Sequence, residues 1–354
     1  MAKRQLNRRQ QWRIQKIQDE RLARARKKQQ KVNDNGELFD EILHHGVVVS
    51  HFGATLDIED DSSHSLVRCA LRQNIDAIVC GDKIVWQQLT NLPEDEQIQG
   101  VVTALEARTN VLARPDFTGK MKPVAANVDH LLIVTSPVPE LNEGLIDRYL
   151  VAAELSHIQP ILVLNKIDTL SDEQREVLEK RIKIYQDINY KILYTSAKSQ
   201  YGMDTLLEQL AGKISVFVGQ SGVGKSSLIN TLFPDAKIKE GEVSLATNKG
   251  IHTTSVSRLY QINKPAVTLS VEELNSTQTS LIDSPGVRKF GLWNISKEDV
   301  IHGFVELHKY IQNCHFRDCK HLNEPNCGLL KAADENKISQ QRLDSYHRII
   351  NSID

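Results

Sequence analysis

The segment 214–232, ISVFVGQSGVGKSSLINTL, constrains this chain more than any other. It sets G-x-x-x-x-G-K-[ST] between an apolar run and a helix-forming run, the context that pattern requires. Gly219, Gly222 and Gly224 let successive backbone N–H groups turn inward toward phosphate oxygens. Lys225 brings a positive charge to the β- and γ-phosphates. The Ser226 hydroxyl is a ligand for Mg²⁺, and the helix opening near Lys225 adds its positive end. Gln220, Ser221, Val223 and Ser227 complete the loop. The segment predicts a strand–loop–helix unit that grips a nucleoside triphosphate.

A second motif selects the base. NKID at 165–168 follows the apolar run PILVL. A carboxylate at Asp168 accepts two N–H bonds, from N1 and N2 of guanine. Adenine offers no such pair and would leave a buried acceptor unpaired. Asn165 reaches the other base edge, and the Lys166 stem lies along the purine face. TSAK at 195–198 supplies backbone N–H groups, at Ser196 and Ala197, near guanine O6. Together these motifs argue against an ATP-using enzyme such as a kinase.

The remaining nucleotide elements come later. DSPG at 283–286 ends an apolar strand, with Asp283 placed to hold Mg²⁺ through water and the Gly286 N–H placed for the γ-phosphate. GIHTT at 250–254 lies where a threonine ligand of Mg²⁺ is expected, and Thr253 and Thr254 are both candidates. Lys225 and Asp283 are therefore candidate catalytic groups. Many such enzymes place a Gln after the D-x-x-G turn to orient the attacking water; this chain has Val287. His252 is the candidate replacement, brought into place by a partner.

Around this centre the grammar of the sequence changes twice. Residues 40–115 read as five or so short strands punctuated by turns, which suits a small closed barrel of the OB kind or an SH3-like one. Residues 116–290 alternate apolar strands with helices near 142–157, 171–186 and 204–211, the pattern of a parallel α/β sheet covered on both faces. Residues 291–354 turn helical, with Leu343, Tyr346, Ile350 and Ile353 on one packing stripe.

Charge and cysteine usage add partners. Residues 1–39 form a basic tail expected to be disordered alone. Within it, residues 1–32 carry net charge +10, so the other 322 sum to −11. A basic arm on an acidic body points to a polyanion such as RNA. Three of the five cysteines fall in CHFRDCKHLNEPNC at 314–327. Cys314, Cys319, His321 and Cys327 are four ligands within fourteen residues, enough to close a tetrahedral structural Zn²⁺ site. His315 is the alternative ligand. No apolar run reaches membrane-spanning length and there is no secretory leader pattern, so a cytoplasmic protein is expected. Nothing demands an oligomer, and a monomer is expected.

The order NKID, SAK, GQSGVGKSS, G-x-H-T-T, DSPG resembles the circularly permuted GTPases. With a barrel before and a Cys cluster after, it is similar to the bacterial group acting in biogenesis of the small ribosomal subunit. The resemblance covers about residues 40–350, and EARTNVLARP at 106–115 belongs to it; Ile251 stands where a basic residue is expected. It implies an N-terminal OB-fold domain, a central permuted P-loop GTPase domain and a C-terminal zinc domain. It also implies binding to the 30S subunit and its 16S-type rRNA in late maturation, with GTP hydrolysed to GDP under stimulation by that subunit. A nucleotide-gated RNA-binding module with incidental turnover is the competing expectation.

Overall fold

A computed structural model describes residues 42–71, 75, 77–89, 97–116, 118–232, 258–262, 279–283 and 295–353. The basic tail, His252, Thr253, Thr254, Gly286 and Val287 lie outside the described residues. The chain divides into two compact units.

The first unit holds five strands: β1 (Leu43–Phe52), β2 (Thr55–Asp60), β3 (Leu66–Leu71), β4 (Lys83–Gln88) and β5 (Gly100–Leu105). They pair in the order β1-β2-β3-β5-β4, and β4 returns to β1 to close the barrel. All pairs are antiparallel except β3 with β5. A closed five-stranded barrel of this order is the OB topology, which decides between the two barrels the strand pattern allowed. Inward residues alternate along the strands: Val48, Leu56, Ile58, Cys69, Ile84, Trp86 and Val102 form its core. Cys69 is a packing residue: burial, with the Asp57 charge adding to it, pushes its thiol up to about 12. Asp82 is fully buried and receives Arg108 through Nε at 2.6 Å and Nη2 at 2.7 Å. That fork pins the 106–110 segment to the barrel's Gly81-Asp82 turn.

Two strands follow, β6 (Val111–Pro115) and β7 (Met121–Ala126), and they form a sheet of their own. The run NVLARP, expected among the barrel strands, is thus a strand with a different partner. Strand propensity does not specify pairing.

The second unit is built on β8 (His130–Thr135), α1 (Glu143–Leu155), β9 (Gln159–Leu164), α2 (Asp172–Gln186), β10 (Lys191–Tyr194), α3 (Met203–Leu210), β11 (Ile214–Val218) and α4 (Lys225–Leu232), with β13 (Thr279–Asp283) and, from Tyr260 onward, the end of β12 (Arg258–Ile262). The strand order is β10-β9-β8-β11-β13-β12, and β8, β9, β10, β11 and β13 run parallel. Such strands are buried on both faces, which explains the unbroken apolar runs HLLIVT and PILVL. Caps set the helix starts. Asn142 accepts from the Leu145 N–H, and Ser171 forms a capping box with Gln174.

Chain order reverses between β8 and β11: β9 and β10 lie on one side, β11 and β13 on the other. In open α/β sheets that reversal opens a crevice at the carboxyl ends of the strands. The loops after β8, β9, β10 and β11 all emerge there.

The same unit ends in α5 (Lys297–Val300), α6 (Val305–His308), α7 (Gly328–Asp334) and α8 (Gln340–Asn351). Leu343, Tyr346 and Ile350 of the predicted stripe are buried there, with Ile353 packed against them. This core includes Val151 of α1, so the C-terminal helices sit on the α/β domain itself. Gly303 permits the approach: a Cβ on it would stand 2.6 Å from Val151 Cγ1.

Candidate functional site

The loop after β11 takes its shape from three glycines at positive φ, +135° at Gly219, +83° at Gly222 and +94° at Gly224. Two of them are also space-limited. A Cβ on Gly219 would overlap the Val134 carbonyl oxygen, and one on Gly224 would overlap the Asn165 amide nitrogen. Between them Val223 is buried at 1% exposure and anchors the loop in the core. Gln220, Ser221 and Gly222 are exposed, while Ser226 and Ser227 are half-buried in the first turn of α4. The Leu228 N–H donates to the Gly224 carbonyl at 2.9 Å. Lys225 is buried, and its Nζ donates to the carbonyls of Gly219 at 2.8 Å and Gln220 at 2.7 Å. The ammonium thus lies on the loop's own concave backbone.

The NKID segment at 165–168 meets this loop directly. Asn165 directly follows β9, is 1% exposed, and donates through Nδ2 to the Val223 carbonyl at 2.9 Å. Its Oδ1 accepts from the Ala197 N–H at 3.3 Å and the Thr195 hydroxyl at 3.4 Å. One amide therefore ties the ends of β9, β10 and β11. Lys166, at φ +63°, donates through Nζ to the carbonyls of Gly222 at 2.5 Å and Val138 at 2.9 Å. Its stem bridges from the base motif to the phosphate loop. Asp168 is exposed, and its Oδ1 accepts from the buried Ser196 hydroxyl at 2.6 Å. That bond orients the carboxylate. The sequence motif credits Ser196 only with a backbone N–H, and nothing in the pattern marks Val138.

Asp283 closes β13. That strand runs parallel to β11 with Ile282 opposite Val216, so Asp283 ends at the same sheet edge as the phosphate loop.

The cysteine cluster gathers as its spacing predicts. Ligand atoms of Cys314, Cys319, His321 and Cys327 all lie within 4.8 Å of one another. The imidazole Nδ1 of His321 is 3.4 Å from Cys314 Sγ and 3.5 Å from Cys327 Sγ. A tetrahedral zinc with bonds of about 2.0–2.3 Å separates its ligands by about 3.5–3.8 Å. The donor set fits. The Gly328 N–H donates to Cys314 Sγ at 3.3 Å and orients that sulfur. Glu324 accepts N–H bonds from Lys320, Leu322 and Asn323 and shapes the turn between ligands. Burial lowers the His321 imidazole below its usual value, which keeps it neutral for a metal. His315, the alternative ligand, packs its ring edge-on against Phe316 and lies outside the clustered group.

The RsgA GTPase family model matches residues 105–293. A Pseudomonas putida protein, "Small ribosomal subunit biogenesis GTPase RsgA", is 46% identical over 359 residues, spanning 100% of this chain and 98% of that relative. This chain belongs to the RsgA GTPase family. A Pseudomonas fluorescens relative of the same name is 45% identical over the same spans. Two solved structures agree in fold. YjeQ from Thermotoga maritima has a TM-score of 0.68 at 28% identity, covering 88% of this chain and 99% of its own. YloQ, described as a circularly permuted GTPase, has a TM-score of 0.67 at 26% identity, covering 90% and 98%. The RsgA fold is the barrel, permuted GTPase and Cys/His cluster described above. Among the described residues, no helix is long and apolar enough to cross a membrane.

Proposed function

We infer that this chain is a GTP hydrolase acting in late maturation of the small ribosomal subunit, and that the crevice above β9, β10 and β11 is its GTP site. One observation carries the reading: Asn165 and Lys166 hydrogen-bond the carbonyls of Val223 and Gly222, joining base motif and phosphate loop in one pocket. Permutation leaves such a pocket intact because only the cut point of the chain moves.

In this reading Asp168, held by Ser196, accepts guanine N1 and N2. Asn165, Lys166 and Ala197 frame the base. The Gly219–Ser227 loop binds phosphates through its N–H groups, with Lys225 leaving its loop carbonyls for phosphate oxygens. Ser226, Asp283 and Thr253 would hold Mg²⁺, with Thr254 the alternative. When bound, that ion supplies charge neutralisation at the β- and γ-phosphates. The Gly286 N–H meets the γ-phosphate. His252 orients the attacking water once the subunit positions it, since Val287 offers no hydrogen bond.

The Cys314, Cys319, His321 and Cys327 set would hold one Zn²⁺ with no open position, a structural site. The tail 1–39, the barrel 40–115 and the zinc segment 291–354 are the proposed contacts to 16S-type rRNA on the 30S subunit, flanking the GTPase core 116–290. The protein acts in the cytoplasm as a monomer.

The test is multiple-turnover hydrolysis of GTP and ATP, with and without purified 30S subunits, across a salt series. GTP turnover that rises with 30S and loses that rise steeply with salt is the expected result. Equal use of ATP, or turnover indifferent to 30S, contradicts the reading.

A further inference from the structure

The metal cluster and the phosphate loop are linked by two helices that meet at a buried charge cluster. On α1, Tyr149 is 5% exposed and lines a small cavity with Thr135, Asn142, Gly219 and Gln220. Its hydroxyl lies against the Gly219 backbone. Asp147 lies two residues earlier, and residues two apart do not share a helix face. It is 1% exposed and accepts from Arg342 Nη1 on α8. One helix therefore touches the phosphate loop on one side and the C-terminal helices on another.

Arg342 is itself 1% exposed. Its Nε donates to Glu306 Oε1 at 2.7 Å, and its guanidinium carbon lies 4.5 Å from the Phe304 ring centre. Five residues further along α8, His347 Nε2 lies 2.6 Å from the His321 carbonyl oxygen. The path from metal ligand to phosphate loop is continuous: His321, α8, Arg342, Asp147, α1, Tyr149, Gly219.

Cohesion alone does not explain the charge cluster. Buried ion networks hold helices together no better than apolar packing of the same volume. Here Arg342 Nη2 and Glu306 Oε2 are buried with no hydrogen-bond partner, so desolvation is incompletely offset. What a guanidinium fork adds over leucine is a fixed angle and register between the elements it joins.

We propose that Arg342 and Tyr149 are positioning residues for the phosphate loop: Arg342 sets α1 through Asp147, and Tyr149 passes that setting to Gly219. The inference rests on reading 219–227 as the GTP phosphate site. Nucleotide affinity then depends on how the C-terminal helices are docked, and by reciprocity nucleotide stabilises the docking.

The test uses the full-length, zinc-loaded chain with Tyr149→Phe, Arg342→Lys and the double variant. Affinities for GDP and a non-hydrolysable GTP analogue are measured by calorimetry at fixed Mg²⁺, with kcat and KM for GTP. Tyr149→Phe removes one hydroxyl and is expected to weaken affinity about three- to tenfold, raising KM while kcat changes less than about twofold. Arg342→Lys is expected to weaken it about as much. The double variant should fall short of the product of the two, because both act through Gly219. A packing role alone lowers the melting temperature and leaves affinity intact. If Arg342→Lys does not fold, Tyr149→Phe decides: affinity within about twofold of the parent overturns the proposal. A parent chain that binds GTP while both variants match it overturns this inference alone. A parent with no measurable GTP affinity overturns the GTP reading as well.

Discussion

The side-chain amide of Asn165 donates to the carbonyl of Val223, 58 residues later, at 2.9 Å. Its other end accepts from Ala197. This single residue holds the segments after β9 and β10 and the loop after β11 in one geometry, although the permuted chain visits them in an unusual order.

Gly224 leaves room for that amide. A Cβ there would overlap Asn165 Nδ2, at a φ of +94° that L-residues disfavour. Gly224→Ala is expected to weaken GTP binding more than about tenfold and to destabilise the chain by about 1–3 kcal/mol. Calorimetric titration and thermal melts check both.

The metal set makes a discriminating prediction. Native mass spectrometry is expected to find one zinc per chain, lost in Cys319→Ser and in His321→Ala but kept in His315→Ala. His315 sits beside Cys314 in sequence, yet its ring packs on Phe316 and not among the thiols. Loss of zinc in His315→Ala with retention in His321→Ala contradicts the assignment.

Docking of the C-terminal helices on α1 depends on Gly303. Gly303→Val would press into Val151, whose Cγ1 would already be 2.6 Å from a Cβ. The expected cost is about 1–3 kcal/mol of overpacking. Hydrogen exchange should show α8 loosened and the barrel amides unchanged.

Acid stability of the barrel reports on Asp60. Burial alone would raise its carboxyl, but hydrogen bonds from Ser62 and Ser63, with the His44 charge, outweigh it and bring it to about 2. The folded value lies below the unfolded value of about 3.8, so its stabilisation is complete above about pH 4 and is lost as pH falls through about 2. Melting temperatures between pH 5 and pH 2 should fall in the parent. In Asp60→Asn they should start lower and fall less over that window.

Much of this architecture could be read from local pattern. The glycines of 219–224 announce themselves because only glycine takes those φ values freely. The apolar runs of β8 and β9 announce a sheet covered on both faces. The remainder depends on contacts between distant segments. Ser196 reads as part of a backbone turn, but its hydroxyl holds Asp168. Tyr149 reads as one more apolar helix position. Arg342, within the polar stretch SQQRLDS, has every local mark of a solvent-facing residue and is instead nearly sealed. NVLARP reads as a barrel strand, since propensity names a strand and not its neighbour.

Base selection by Asp168 tests the account most directly. Xanthine carries a carbonyl where guanine carries its 2-amino group, so an amide in place of Asp168 can donate where the carboxylate accepts. Equilibrium binding of GTP, ATP and xanthosine triphosphate should be compared for the parent and Asp168→Asn. The parent is predicted to prefer GTP by at least about a hundredfold, and Asp168→Asn to lose that preference and favour xanthosine triphosphate. A parent that binds ATP and GTP alike, or an Asp168→Asn chain with unchanged GTP affinity, would contradict it.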